Sequence, residues 1–335
     1  MTTFRLDQLT VRHLAGAKAP ALHAIDLVVA QGDQLAIIGP SGAGKTTLLN
    51  TLACAHRPAS GRLDVFGSDP WALGDAARHR LRARLFLAPQ TPPLPPRQRV
   101  VNAVLAARLP HWSLWQAFAS LITPCDPDAA YDALARFGLG EKLYARVDRL
   151  SGGERQRCGL ARLLLSSAQV FLVDEPLSAL DPTLAQMTLA ALQQEAAARN
   201  ATLVCSLHQV DIARANFARI VGLRDGRIVF DAARENITDA MIAALYQNES
   251  MTLPEPVHHQ TPERLAVGAA LDSLWYRAAI MASLTSSRRA SNTTRPSRRP
   301  TMRGKLARAM STWCRLHTSV ALRAVASRCT AARVM

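Results

Sequence analysis

Lys45 and Thr46 close a glycine-rich run, Gly39-Pro40-Ser41-Gly42-Ala43-Gly44, and Thr47 follows; the spacing fits G-x-x-x-x-G-K-[ST]. Glycines in that pattern let backbone N–H groups converge on phosphate oxygens, and the lysine adds a point charge. The Thr46 hydroxyl is placed to ligate the magnesium ion that accompanies ATP. A second pair of chemical groups, Asp174 and Glu175, closes the apolar run Val170-Phe171-Leu172-Val173. Asp174 would hold that magnesium through water, and Glu175 would polarise an attacking water as general base. Paired acids after a strand could instead only cap the next helix, which Pro176 and Ser178 prepare; a phosphate loop upstream strengthens the catalytic reading.

These groups need elements that aim them. Leu35-Ala36-Ile37-Ile38 reads as a buried parallel strand, and helical spacing continues over 46–52, so the loop opens a helix where an anion is stabilised. Residues 170–173 make a central strand, with further strands at 85–88 and 202–207. After Gln90 the pattern turns helical, over about 100–109, 128–137 and 153–165. Thr91-Pro92-Pro93-Leu94-Pro95-Pro96 would be stiff and extended, suited to a hinge. Asp225-Gly226 between β-rich runs predicts a hairpin over 219–231.

The third diagnostic segment is Leu150-Ser151-Gly152-Gly153-Glu154-Arg155-Gln156-Arg157, between the phosphate loop and the acidic strand. A hydroxyl and two glycine N–H groups opening a helix over 154–165 make a second anion site. With the phosphate loop and the acidic pair, it resembles the ATP-binding subunit of ABC transporters over about residues 1–248. The resemblance implies an α/β fold: a P-loop NTPase, ABC-type nucleotide-binding domain with a RecA-like core, a β-subdomain and a helical insertion at about 91–157. In that family the segment matching Ser151, Gly152 and Gly153 closes over the γ-phosphate held by the other subunit, so two chains sandwich two ATP molecules. Gln90 resembles the glutamine that reaches magnesium and the water and reports on the transport partner. Asp181, in Ser178-Ala179-Leu180-Asp181, resembles the loop coupling the two sites. His208 matches the switch histidine that contacts the γ-phosphate and orients Glu175. One position departs: the family commonly stacks adenine on tyrosine, and His13 stands in the corresponding stretch with a smaller ring.

Two stretches resemble phosphonate importer ATPases: Asn102-Ala103-Val104-Leu105-Ala106-Ala107-Arg108-Leu109 before Trp112, Trp115 and Phe118, and 207–213 with 222–228. That resemblance implies separate permease subunits, a periplasmic or surface solute-binding protein acting indirectly, and a place on the cytoplasmic face of the membrane. Other solutes stay open as an alternative, and so does a soluble ABC ATPase acting on nucleic acid or ribosomes. A single phosphate loop and no sustained heptads argue against the latter. The aromatic spacing of three puts the rings on one helix face, read as core, with an exposed permease-docking face as the other reading.

At 335 residues the chain can form one large α/β domain and a smaller piece. No run approaches about 20 apolar residues, and the N-terminus lacks a signal-peptide core, so the cytosol is expected. The six cysteines include no C-x-x-C pair, which reads as free thiols in a reducing compartment. Residues 251–335 differ in kind. They hold 14 of the 40 basic residues and 3 of the 25 acids, so the chain's basic balance is mostly theirs. One-signed charge with Ser-, Thr- and Arg-rich runs predicts disorder over at least 285–305. This tail could meet an anionic lipid surface or contact nucleic acid nonspecifically. Alternatively, it is a neighbouring reading frame joined at Met251 and shifted out of frame, which the composition change favours.

Overall fold

The computed structural model describes residues 1–12, 20–113, 115–117, 120 and 124–247. Short apolar runs after turn residues form a six-stranded sheet. Its strands are β3 (Gln34–Ile38), β5 (Leu85–Ala88), β6 (Val170–Asp174), β7 (Thr202–Ser206), β8 (Arg219–Arg224) and β9 (Arg227–Ala233), following β1 (Thr2–Val11), β2 (Leu22–Ala30) and β4 (Ser60–Val65) in the chain. The order is β5-β6-β7-β3-β8-β9, parallel throughout except for the β8–β9 hairpin. Every residue of β6 and β7 is buried, as continuous apolar strands covered on both faces require. The alternation is visible in β3: Leu35 and Ile37 join one core cluster, Ala36 and Ile38 the other.

The first cluster lies between this sheet, α1 (Lys45–Leu52) and a three-stranded antiparallel sheet of order β2-β1-β4. In β2, Leu22, Ile25, Leu27 and Val29 are buried while Ala24, Asp26, Val28 and Ala30 are exposed, the pattern of a sheet with one dry face. Helix α2 (Asp75–Arg82) precedes β5. The second cluster gathers the opposite sheet face with α3 (Val100–Leu105), α4 (Pro127–Ala135) and α5 (Gly152–Leu165). Helices α6 (Pro182–Ala198), α7 (Val210–Asn216) and α8 (Asp239–Tyr246) complete the described chain. Among the described residues, no helix is long and apolar enough to cross a membrane.

Two local expectations need correction. The helix expected over 100–109 ends at Leu105 and tightens into a 3-10 turn at Ala106–His111. Pro110 sits in that turn without an N–H for the Ala106 carbonyl, so the α-helical ladder cannot continue. The chain leaves the turn extended at Trp112, which breaks the one-face stripe. Trp112 packs partly buried on the core, Trp115 is 81% exposed, and Phe118 lies outside the described residues. The core reading therefore fails at Trp115. His13 and the 251–335 tail, with its expected disorder, also lie outside the described residues.

Candidate functional site

Parallel strands deliver their C-terminal ends to one edge of a sheet, and neighbours stand about 4.8 Å apart. The order β5-β6-β7-β3 therefore sets four segments side by side: Gln90 after β5, Asp174 and Glu175 at the end of β6, His208 beyond β7, and the phosphate loop after β3. This is the edge where such sheets bind ligands.

The loop from Gly39 to Gly44 leads directly into α1. A Cβ on Gly39 would stand 1.9 Å from the Leu223 carbonyl oxygen, so β8 presses on the loop where only glycine fits. Gly44 precedes α1 in the left-handed region and no side chain caps that helix, which leaves its first N–H groups for an anion. Lys45 is buried, and its Nζ donates to the carbonyl oxygens of Gly39 at 2.7 Å and Pro40 at 3.0 Å. Thr47 is buried too, whereas Ser41 and Gly42 are exposed.

Asp174 accepts from Thr46 Oγ1 at 2.9 Å on one carboxylate oxygen and from Ser206 Oγ at 2.7 Å on the other. The Thr46 hydroxyl and the Asp174 carboxylate thus form an oxygen pair of the kind a hard divalent cation takes, the rest of its shell coming from phosphate and water. Glu175 receives Gln90 Nε2 on Oε2 at 2.8 Å, and its Oε1 meets His208 Nε2. The three residues expected to act on the water therefore meet at one carboxylate. Its backbone N–H donates to Ser206 Oγ at 2.9 Å and its carbonyl accepts from Gln156 Nε2 at 2.6 Å.

Ser151, Gly152 and Gly153 stand apart from this cluster. Ser151 caps α5 in a capping box: Glu154 N–H donates to Ser151 Oγ at 3.2 Å, and Ser151 N–H donates to Glu154 Oε2 at 2.8 Å. These bonds, with the nearby Lys142 charge, hold the Glu154 carboxyl below its ordinary range, the Ser151 N–H contributing most. A Cβ on Gly153 would meet the Ala179 carbonyl oxygen at 2.7 Å, so the segment lies against the loop before Asp181. Asp181 caps α6, accepting from Leu184 N–H at 3.0 Å.

Two residues of the cluster escaped the motif reading. Ser206 ends an otherwise apolar buried strand, and a hydroxyl there was a usable signal. Gln156 gave none, because a glutamine between two arginines reads as a solvated helix face. The cysteines stay outside the chemistry. Burial pushes the thiols of Cys54 and Cys158 up, to about 11 and about 12, and that of Cys205 further up, so these three are protonated packing groups.

The sheet edge, the phosphate loop and the acidic strand end define a P-loop nucleotide-binding domain. The model of the ABC transporter family matches residues 22–178. The chain is 54% identical over 256 residues to the phosphonates import ATP-binding protein PhnC of Polaromonas sp., spanning 76% of this chain and 92% of that one. It is 56% identical over 243 residues to PhnC 2 of Albidiferax ferrireducens, spanning 72% and 88%. The chain belongs to the ABC transporter family of ATP-binding subunits. Among solved structures, a dimeric ATP-binding cassette in a post-hydrolysis state with ADP and Pi superposes with TM-score 0.59 at 24% identity, covering 70% of this chain and all of that one. A bacterial Atm1-family exporter with ATP bound gives 0.61 at 23%, covering 76% and 43%. At those identities the likeness is one of fold.

Proposed function

We propose that this chain is the ATP-hydrolysing subunit of an importer for phosphonates or a related phosphorus oxyanion. Two copies close on two ATP molecules and drive a separate permease from the cytoplasmic face of the membrane. The observation that carries the catalytic half is the convergence of Gln90 and His208 on the Glu175 carboxylate. The phosphonate half rests on the relatives that exceed 50% identity.

The residues divide the work. Backbone N–H groups of Gly42 to Thr47 and the Lys45 ammonium bind the phosphates, for which Lys45 exchanges its two loop carbonyls. Thr46 and Asp174 would hold Mg2+, with Gln90 beside them; when bound, the ion neutralises charge on the β- and γ-phosphates. Glu175 takes the proton of the attacking water, and His208 fixes the direction of its carboxylate. Ser151 to Gly153 of the other copy complete the anion site, and Asp181 follows the loop that lies against Gly153 of its own chain. His13 stacks on adenine. Residues 91–157 form the lobe that meets the permease, and the 251–335 tail is dispensable.

Growth on a phosphonate as sole phosphorus source, with and without this gene, tests the transport reading. Loss of growth restored by the gene is expected, and unchanged growth would sink it. A chain ending at Ser250 should keep both ATP hydrolysis and growth; loss of either makes the tail functional.

A further inference from the structure

Gln156 lies on α5 between Arg155 and Arg157, in a sequence that would ordinarily meet water. It is instead 5% exposed. Its amide donates from Nε2 to the Glu175 carbonyl at 2.6 Å, while Oε1 is buried with no partner among the described residues. A buried amide with half its bonding unmet calls for an explanation, and a role at a catalytic site is one.

Glu175 supplies it. Its φ of 49° lies in the left-handed region, unfavourable for a residue with a Cβ and kept only where the surroundings enforce it. Ser206 on β7 holds its N–H, and Gln156 on α5 holds its C=O. Ser178 Oγ adds a longer contact to the same carbonyl at 3.3 Å. Gln90 and His208 restrain the tip of the side chain but not the backbone from which it springs. A rotation of this peptide redirects the Cα–Cβ bond and carries the carboxylate off line.

We propose that Gln156 is the positioning residue that ties the general base to α5, the helix capped by Ser151, within its own chain. The inference rests on Glu175 acting as base. Gln156 stands five positions after Ser151, about 7.5 Å along a helix axis, so the two move as one rigid piece. When Ser151 to Gly153 engage a nucleotide on the other copy, α5 shifts and the Gln156 amide loads or releases the Glu175 carbonyl. A cavity of about 250 Å³, lined by Pro89, Pro92, Pro93, Gln156, Gly159 and Leu160 among others, lies along this face of α5, where Pro92 packs on Gly159. Each copy then reports the state of its partner's nucleotide to its own base by a path inside one chain.

The test is ATP titration of the full-length chain with Gln156→Met and Gln156→Glu, both of which keep the length of the side chain. Gln156→Met should lower kcat about tenfold with KM for ATP within about twofold of wild type, the loss of one hydrogen bond made to the base's backbone. Gln156→Glu should show the same deficit at neutral pH, where a carboxylate opposes the carbonyl. Its kcat relative to wild type should recover as pH falls and the protonated carboxyl donates to Glu175, a recovery absent in Gln156→Met. Where Gln156→Met does not fold, this pH ratio decides alone. Wild-type kcat in both variants, a flat ratio for Gln156→Glu, or kcat and KM changing together with a lowered Tm would overturn the proposal. Glu175→Gln run alongside separates the two readings: if it turns over normally, the base assignment fails and this proposal with it. If it is inactive while the Gln156 variants are normal, only the link falls.

Discussion

The phosphate loop and the Ser151–Gly153 segment are both glycine-containing turns that open a helix, yet the chain caps one and leaves the other uncapped. At α1 no side chain caps the N-terminus, and the strand next door crowds the loop at Gly39. At α5 the capping box satisfies the Ser151 and Glu154 N–H groups, and a Cβ on Gly152 would meet nothing within 4 Å. Pressed against β8 with its N–H groups uncapped, the first is a preformed anion cradle. Carrying its own cap and open to solvent, the second still has the Gly152 and Gly153 N–H groups and the Ser151 O–H to offer: the Ser151 hydroxyl accepts from Glu154, so its proton points to an acceptor elsewhere. The roles proposed above, one site that binds by itself and one that acts on what another copy binds, call for that difference.

The largest effect should come from the chemistry beside the phosphate loop. Glu175→Gln keeps the shape of the side chain and removes the base, so phosphate release should fall about 10²- to 10⁴-fold. Equilibrium nucleotide binding should persist and ATP-bound dimers should accumulate. Normal turnover in that variant removes Glu175 as base. Lys45→Ala comes next, because it strips the cradle of its only side-chain charge. A charge-assisted contact to phosphate is worth about 1.5–3 kcal/mol, so affinity for ATP should drop roughly 10- to 150-fold in a binding titration. Unchanged affinity would mean that Lys45 stays on its loop carbonyls and the phosphates sit elsewhere.

Ser151→Ala makes the opposite demand. Losing the cap should cost about 1 kcal/mol of stability, read from thermal or denaturant unfolding. Binding of ATP to a single chain should be untouched, while hydrolysis at saturating ATP and high protein concentration falls. A loss of single-chain affinity equal to that of Lys45→Ala would erase the distinction between the two regions.

What the sequence made legible follows the same division. The phosphate loop, the acidic pair and the Asp225-Gly226 hairpin are local, since a few adjacent residues carry both geometry and chemistry. The β8–β9 register confirms the hairpin directly. The pairing of β1 with both β2 and β4 is not local. Strand β4 follows the phosphate loop and α1, and β-rich composition does not say which distant strand is a neighbour. Gln156 was hidden for a related reason. Its burial is decided by the segment after β6 meeting α5 at the Glu175 carbonyl, and a polar letter in a polar run carries no trace of that. Trp115 misled in the other direction, because an aromatic spacing of three presumes one helix, and Trp112 is extended ahead of the helical residues 115–117.

The smallest expected effect isolates the capping box itself. The Glu154 carboxyl is held below its ordinary value, about 4.5, chiefly by the Ser151 N–H. A carboxyl whose folded value is depressed contributes stability that is complete above the unfolded value and drains away as pH falls through the folded one. Glu154→Gln preserves a capping acceptor but removes the charge, so it should lose only about 0.3–1 kcal/mol at neutral pH, the worth of an anion at a helix N-terminus. That deficit should hold down to about pH 4.5 and close below it, as the wild-type side chain also becomes neutral. The phosphate-loop helix has no acidic residue in its first turn and offers no such titration. A deficit that stayed constant into acid would mean that the side-chain shape, and not its charge, completes α5. The contrast between a helix end reserved for an outside anion and one already supplied with its own would then rest on geometry alone.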